Sequence, residues 1–389
     1  MTINNKRAPY LSAAALLGAS AAASVSFPVQ AADPDFDIRG RLHMDYHQAA
    51  EDERDIPSGW YNRRARMGMD GSIAEGWDGR IEVDFYEGGT SAADFRLRRD
   101  LGPGRLWLGQ YKVPQGLNQL TSSNDIPLIE RSSVSNIIPD SRRIGLAYEQ
   151  MGAETGFKAM TFGRALGDRG EFDGDQPLGL ALRAVYAPYL SAARHEAAPR
   201  LHLGASVVRE DYDEPYDDLR LSDRPELRDG DRGGVRLLDT GDQLGPVEDT
   251  TKLGLEAAYI SGPFSAEAEY LVMETSTEDG SDPGFDGFHV QGAYTLTGES
   301  RTYSTGGFGG VTPSSRGGAW EVVGRYSNMD LNDSGVRGGE QDNVTLGVNY
   351  YPTSTLRFMG NVVFVDFEDH AEDPDESPTL VGLRAQYSW

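Results

Sequence analysis

Apolar and polar residues alternate along this chain with a period of two from about Phe36 to Trp389, without the spacing of a helical face. Arg80-Ile81-Glu82-Val83-Asp84-Phe85 alternates charged and apolar side chains, and so does Lys252-Leu253-Gly254-Leu255-Glu256-Ala257-Ala258-Tyr259. Asn343-Val344-Thr345-Leu346-Gly347-Val348-Asn349-Tyr350 is cleaner still. Such runs put apolar groups on one face of a strand and polar groups on the other. Sixteen of them are predicted, at roughly 36–47, 60–72, 77–87, 93–99, 104–113, 141–149, 155–164, 178–187, 200–209, 250–260, 264–274, 287–297, 318–329, 341–351, 354–367 and 377–389. Most are near the ~10 residues that a tilted barrel strand uses to cross a bilayer.

The connections are unequal. With both termini at the periplasmic end, the connections at the opposite end include about 27 residues after the fifth run and about 40 after the ninth. Those at the periplasmic end are mostly about 2–5 residues, with a segment near 298–317 as the exception. Short turns on one side and long loops on the other are the habit of outer-membrane barrels. Aromatic residues mark strand ends, as at Trp60-Tyr61, Tyr148 and Tyr350-Tyr351. The last strand ends Tyr387-Ser388-Trp389, with Val381, Leu383 and Ala385 on the same face as Tyr387. The predicted fold class is all-β: a transmembrane antiparallel barrel of 16 strands.

The N-terminus differs from the rest. Lys6 and Arg7 precede an Ala-rich apolar run from Leu11 to Val29, and Val29-Gln30-Ala31 ends in small residues. This predicts a secretory signal peptide over 1–31, cleaved after Ala31, and one barrel domain over 32–389. Without Lys6 and Arg7 the remaining chain carries a formal charge of −27. An acidic balance of that size excludes the basic footprint of a nucleic-acid binder. No Cys is present, so disulfides and thiolate metal sites are excluded as well. No later segment supplies the ~20 apolar residues of a helical span.

Catalytic signatures are missing. The histidines His43, His47, His195, His202, His289 and His370 form no metalloprotease pair, and no Gly-x-Ser-x-Gly elbow occurs. The Gly-rich stretch Thr305–Gly310 has no P-loop Lys. The expectation is a channel and no enzyme, with a barrel enzyme or an adhesive barrel as the alternatives of another class.

In a channel, chemistry resides in the lumen-facing charges. On the 60–72 run, Asn62, Arg64, Arg66 and Asp70 share one face, opposite Ala65, Met67 and Met69. The apolar set suits lipid, which aims Arg64 and Arg66 inward; Arg63 has lipid-side parity, near enough to the strand end to snorkel. By the same parity Arg96 and Arg98 oppose Phe95 and Leu97, and Arg143 opposes Ile144 and Leu146. Arg183 opposes Leu182 and Ala184, and Arg325 opposes Gly324 and Tyr326. These arginines either form a cationic ring or pair with Glu82, Asp84, Glu256, Glu267 and Glu269 to line a general-diffusion or cation-preferring pore. The stretch 210–249 holds Asp211, Asp213, Glu214, Asp217, Asp218, Asp223, Glu226, Asp229 and Asp231. It is predicted to be a solvated, hydrophilic loop. Ca²⁺ bridging there, between loops or to lipopolysaccharide, is the alternative, but the Asp spacing matches no Ca²⁺-loop consensus. No cofactor is expected.

Several motifs point to one family. Arg63-Arg64-Ala65-Arg66-Met67-Gly68-Met69-Asp70-Gly71 resembles an early strand of the phosphate-selective porin O and P family. So do Gly109-Gln110-Tyr111-Lys112-Val113-Pro114, Leu120-Thr121-Ser122-Ser123-Asn124-Asp125 and Glu130-Arg131-Ser132. Leu296-Thr297-Gly298-Glu299-Ser300-Arg301-Thr302-Tyr303, Gly318-Ala319-Trp320-Glu321 and Gly347-Val348-Asn349-Tyr350-Tyr351-Pro352 follow in the family's order. The resemblance implies a trimeric 16-stranded porin in outer-membrane lipid and lipopolysaccharide, with an inward-folded loop narrowing a passage for anions such as phosphate or polyphosphate. By position and by family match, 114–139 is that constriction loop. Ser122, Ser123 and Asn124 offer donors to an oxyanion or to the loop's own backbone. Asp125 and Glu130 are the loop's acids and Arg131 its one cation. The resemblance places lysines at a phosphate constriction, whereas only Lys112, Lys158 and Lys252 follow the signal peptide.

Overall fold

The computed structural model describes residues 35–50, 54–85, 89–167, 176–191, 198–228, 235–304 and 306–389. The predicted signal peptide, Asp229, Asp231 and His195 lie outside the described residues. In chain order the strands are β1 Asp35–Ala50, β2 Gly59–Ala74, β3 Trp77–Asp84, β4 Ser91–Leu101 and β5 Gly104–Lys112. Next come β6 Arg142–Met151, β7 Thr155–Phe162, β8 Leu178–Tyr186, β9 Arg200–Tyr216, β10 Ser222–Asp223 and β11 Leu238–Asp239. Then follow β12 Val247–Ser261, β13 Phe264–Thr277, β14 Gly284–Thr295, β15 Arg301–Ser304 and β16 Gly307–Val311. The last are β17 Ala319–Asp333, β18 Val336–Tyr351, β19 Leu356–His370 and β20 Thr379–Ser388. Two short helices, α1 Leu117–Leu120 and α2 Ser133–Ile137, sit between β5 and β6.

Sixteen strands close into one barrel, with β10–β11 and β15–β16 as separate hairpins. Every predicted run corresponds to one barrel strand. Closure is made by β1, which pairs with β2 on one side and β20 on the other. Gly40 and Trp389 exchange backbone hydrogen bonds of 3.0 and 3.1 Å at that seam. A Cβ on Gly40 would meet the Trp389 ring at 2.1 Å, so glycine is what lets the ring lie flat on β1.

The alternation becomes a two-sided wall. Leu42, Met67, Ile81, Leu108, Leu146, Leu182, Leu255 and Leu346 face outward and are exposed. An exposed apolar band around a closed barrel is what a lipid-facing surface requires. Trp60 packs on Tyr46, Trp320 on Tyr350 and Tyr387 on Trp389 at the ends of that band.

At the end opposite the termini several hairpins are longer than the sequence predicts. Only Ser334 and Gly335 separate β17 from β18, with positive φ at both, where about 11 loop residues were expected. The reason is that Met329 and Leu331 continue the inward alternation past the lipid band and need cover. The cover comes from the 217–246 segment, where the predicted solvated loop holds for exposed Asp217 and Asp218, as for Asp211, Asp213 and Glu214 before them, but not for the leucines that follow. Its Leu221, Leu227, Leu237, Leu238 and Leu244 join one core with Met329, Leu331, Val363, Val365 and Phe367. Of its acids, Asp223 and Glu226 are buried. Leucines recurring among the charges were the overlooked signal, because a solvated loop has no use for them.

Candidate functional site

The 113–141 segment is held by inward-facing side chains of the barrel. Glu269 on β13 accepts the N–H groups of Leu117 and Asn118, meeting the unpaired donors at the start of α1. Asn118 Nδ2 donates to Glu267 at 2.6 Å, and Ser135 Oγ to Glu269 at 3.3 Å. From β18 to β20, Asn349 donates to the Pro127 carbonyl (2.7 Å), Arg357 to Ile126 (2.7 Å) and Arg384 to Ile129 (2.6 Å). Glu130 receives Arg63 in a two-bond fork at 2.7 and 3.0 Å, and Arg384 at 2.9 Å. A fork of that kind fixes direction as well as charge.

Arg63 was the ambiguous arginine, and a β-bulge resolves it. His43 pairs with Arg64 but the next residue, Met44, pairs with Asn62, so Arg63 is the extra residue on β2. The bulge turns Arg63 and Arg64 to the same inward side and moves Asn62 to the parity of exposed Met44, off the face predicted for it. A one-residue insertion in the pairing cannot be read from alternation alone.

Inside the barrel a cavity of about 830 Å³ lies against β1–β7 and β18–β20. Among the described residues its lining holds thirteen arginines with Lys112 and Lys158, against Glu82, Asp94, Asp125 and Asp223. The carboxylates are shared. Glu82 lies 3.2 Å from Arg41 and 3.3 Å from Arg66, while Asp94 takes Arg142 at 2.7 Å and Arg96 at 3.5 Å. One acid serving two guanidiniums leaves a local positive excess, which counts for more in a confined space than on an open loop. Trp107 carries Lys158 at 3.5 Å and Arg96 at 4.7 Å over its ring, so an indole face also supports the cations.

The sequence candidates divide. Arg64, Arg66, Arg96, Lys112, Arg131, Ser122, Ser123, Asn124 and Asp125 line the cavity, while Arg98, Arg143, Arg183, Arg325 and Glu130 do not. Arg98 pairs with Asp78 (2.5 Å), Arg143 with Asp140 (3.0 Å), Arg183 with Glu256 (2.7 Å) and Arg325 with Glu226. Ser123 accepts from Arg41 at 3.0 Å, and Asn124 bonds His43 at 3.2 Å. Burial pushes the Asp125 carboxyl above its ordinary range, against the pull of Arg301 and Arg357. Arg39 and Arg41 were overlooked although they alternate with Ile38, Gly40 and Leu42. Arg224, Arg228 and Arg236 come from the 217–246 segment and gave no periodic signal.

Lys112 and Arg131 are engaged with backbone. Lys112 Nζ donates to the carbonyls of Gln119, Leu120 (3.4 Å) and Thr121 (3.3 Å), and Arg131 to those of Asn118 (2.8 Å) and Thr121 (2.6 Å). They neutralise the carbonyl end of α1 as Glu269 neutralises its amide end. Burial pulls Arg131 down to about 10, so it remains charged at neutral pH. Lys112→Met should cost about 1.5–3 kcal/mol of loop seating, the range for hydrogen bonds to charged groups. Noisier open-channel current in single-channel recordings is the expected result. Among the described residues, no group of three or more His, Asp or Glu is placed to hold a metal ion.

Comparison with known proteins agrees with this architecture. Residues 36–389 match the family described as Phosphate-selective porin O and P. Porin O of Pseudomonas aeruginosa is 28% identical over 367 residues, covering 84% of this chain and 82% of that protein. An uncharacterised Caulobacter vibrioides protein is 29% identical over 356 residues, covering 86% of this chain and 69% of its own. The fold is similar to the anion-selective porin from Comamonas acidovorans, with a TM-score of 0.59 at 12% identity over 92% of this chain and 100% of that one. The outer membrane channel DcaP of Acinetobacter baumannii gives a TM-score of 0.57 at 14% identity, over 93% and 100%. By this match across nearly its whole length, the chain belongs to the phosphate-selective porin O and P family.

Proposed function

We propose that this porin passes small hydrophilic anions through the outer membrane of a Gram-negative bacterium, with inorganic phosphate and short polyphosphates within its range. A porin is a channel, and no chemical step is assigned to it. The supporting observation is the lining of the central cavity, where cations outnumber carboxylates almost fourfold in a chain whose overall charge is strongly negative. Field at the narrow part of a pore governs which ions enter, so the acid on outer surfaces has little weight. In this reading the 113–141 segment narrows the passage, the leader is removed after Ala31, and three copies assemble among lipopolysaccharide.

The test is the reversal potential of the purified protein in a planar bilayer under a KCl gradient. The sign expected is that of chloride preference, and added phosphate should reduce the chloride current by dwelling among the arginines. Cation preference would remove the anion assignment.

A further inference from the structure

Every inward-facing carboxylate on β9, β12, β13 and β17 is absent from the cavity lining, and no residue of β8, β9, β12, β13, β14 or β17 reaches it. That wall is not poor in acid: Glu210, Glu256, Glu267, Glu269 and Glu321 are all buried on it. Two inserted segments cover it. The 113–141 segment occupies Glu267 and Glu269 through Asn118, Ser135 and the start of α1. From the end that carries the termini, the β15–β16 hairpin brings Arg301 onto Glu321 at 2.7 and 2.8 Å. Its Tyr303 hydroxyl bonds His202, which lies 3.3 Å from Glu256. Arg301 also donates to the Asp125 carbonyl at 2.6 Å, joining the two covers.

We infer that these segments act as an electrostatic mask: by covering the acidic β9–β17 wall they leave the arginine-rich β1–β7 wall to decide which ions pass. The seating of the hairpin thereby sets the ion preference, and Glu321 is silent only while Arg301 covers it. Arg301 and Asn118 are positioning residues here, because they act on the carboxylates and touch no solute. The inference deepens the anion reading and rests on it.

The barrel does not need the hairpin for closure, since only Gly262 and Pro263 connect β12 to β13 at the same end. Replacing residues 298–316 by a Gly-Ser turn removes no charged residue of the cavity lining. In planar bilayers this shortened channel is expected to conduct more and to lose its chloride-over-potassium permeability ratio severalfold. Adding Glu321→Gln to the shortened channel should return the ratio toward its original value while conductance stays high. A pore that had merely widened would not recover on neutralisation.

An unchanged ratio on shortening would overturn the inference. So would a shortened channel whose ratio stays lowered when Glu321→Gln is added. If the shortened barrel does not assemble, Tyr303→Ala with Phe308→Ala loosens the hairpin through its paired rings and enters the same cycle. A full-length channel that prefers cations would sink the anion reading, whereas the direction of change on unmasking would still decide this one.

Discussion

Glu130→Ala should unseat the 113–141 segment and cost about 3–5 kcal/mol, the range for removing one partner of a buried ion pair. The carboxylate is the hub for Arg63, Arg384 and, at 3.7 Å, Arg64. Without it three guanidiniums face one another, and of the acids bonded to them only Asp45, bidentate to Arg384 at 2.7 Å, remains. Limited trypsin digestion reads the effect directly, because Arg131 is the sole cleavage point between 114 and 139. The native channel should resist cleavage there and the variant should be cut. Equal resistance would show that the segment is seated without Glu130.

The pH dependence of this contact has a definite sign. Burial alone would raise the Glu130 carboxyl, but Arg63, Arg64 and Arg384 hold it well below the ordinary value of 4.5. A lowered carboxyl contributes stability that is complete above its unfolded value and is lost only as pH falls through the folded one. The difference in single-channel current between the native and Glu130→Ala channels should therefore stay level from pH 7 to about pH 5, and close only in stronger acid.

The second large effect is expected at Glu226, and it separates two meanings of a buried charge. Its carboxylate accepts from Arg325, from Ser327 at 2.5 Å, from Thr345 at 3.1 Å and from the N–H of Ser133 at 3.2 Å. The residue stands at φ 56, a left-handed conformation that a side chain adopts only when its surroundings hold it there. Glu226→Ala should destabilise by about 3–5 kcal/mol, because it leaves Arg325 buried and uncompensated. Glu226→Leu with Arg325→Met removes both charges and should cost clearly less, since desolvation of the pair disappears with it. Urea unfolding in detergent micelles measures both. A double variant as damaging as the single one would mean that the segment depends on the ion pair for its position.

Alternation made the barrel legible because a strand with lipid on one side and water on the other must carry its chemistry in period two. The sixteen strands, the short turns such as Gly262-Pro263 and the inward aim of Arg64, Arg66 and Arg96 all follow from that rule. The rule is silent where the chain is neither strand nor turn. It could not show that Lys112 and Arg131 would be taken up by α1 carbonyls, or that Arg224, Arg228 and Arg236 would return into the lumen from a distant loop. Nor could it register the bulge at Arg63, which shifts parity by one residue and leaves no mark on composition. Arg39 and Arg41 belong to a different class: their alternation with Ile38, Gly40 and Leu42 is plain, and the same parity rule aims them inward.

The seam between β1 and β20 bears on how the protein is made. Ten residue pairs, from Arg41–Ser388 to Ala50–Thr379, join stretches more than three hundred residues apart, so the first strand has no lasting partner on that side until the last is in place. Until then both carry rows of unsatisfied amides and carbonyls, the kind of edge that recruits strangers. Contacts that distant are also slow to find. The open-edged chain is therefore the vulnerable form of this protein, and an escort that occupies either edge during transit to the membrane would protect it until the ring shuts.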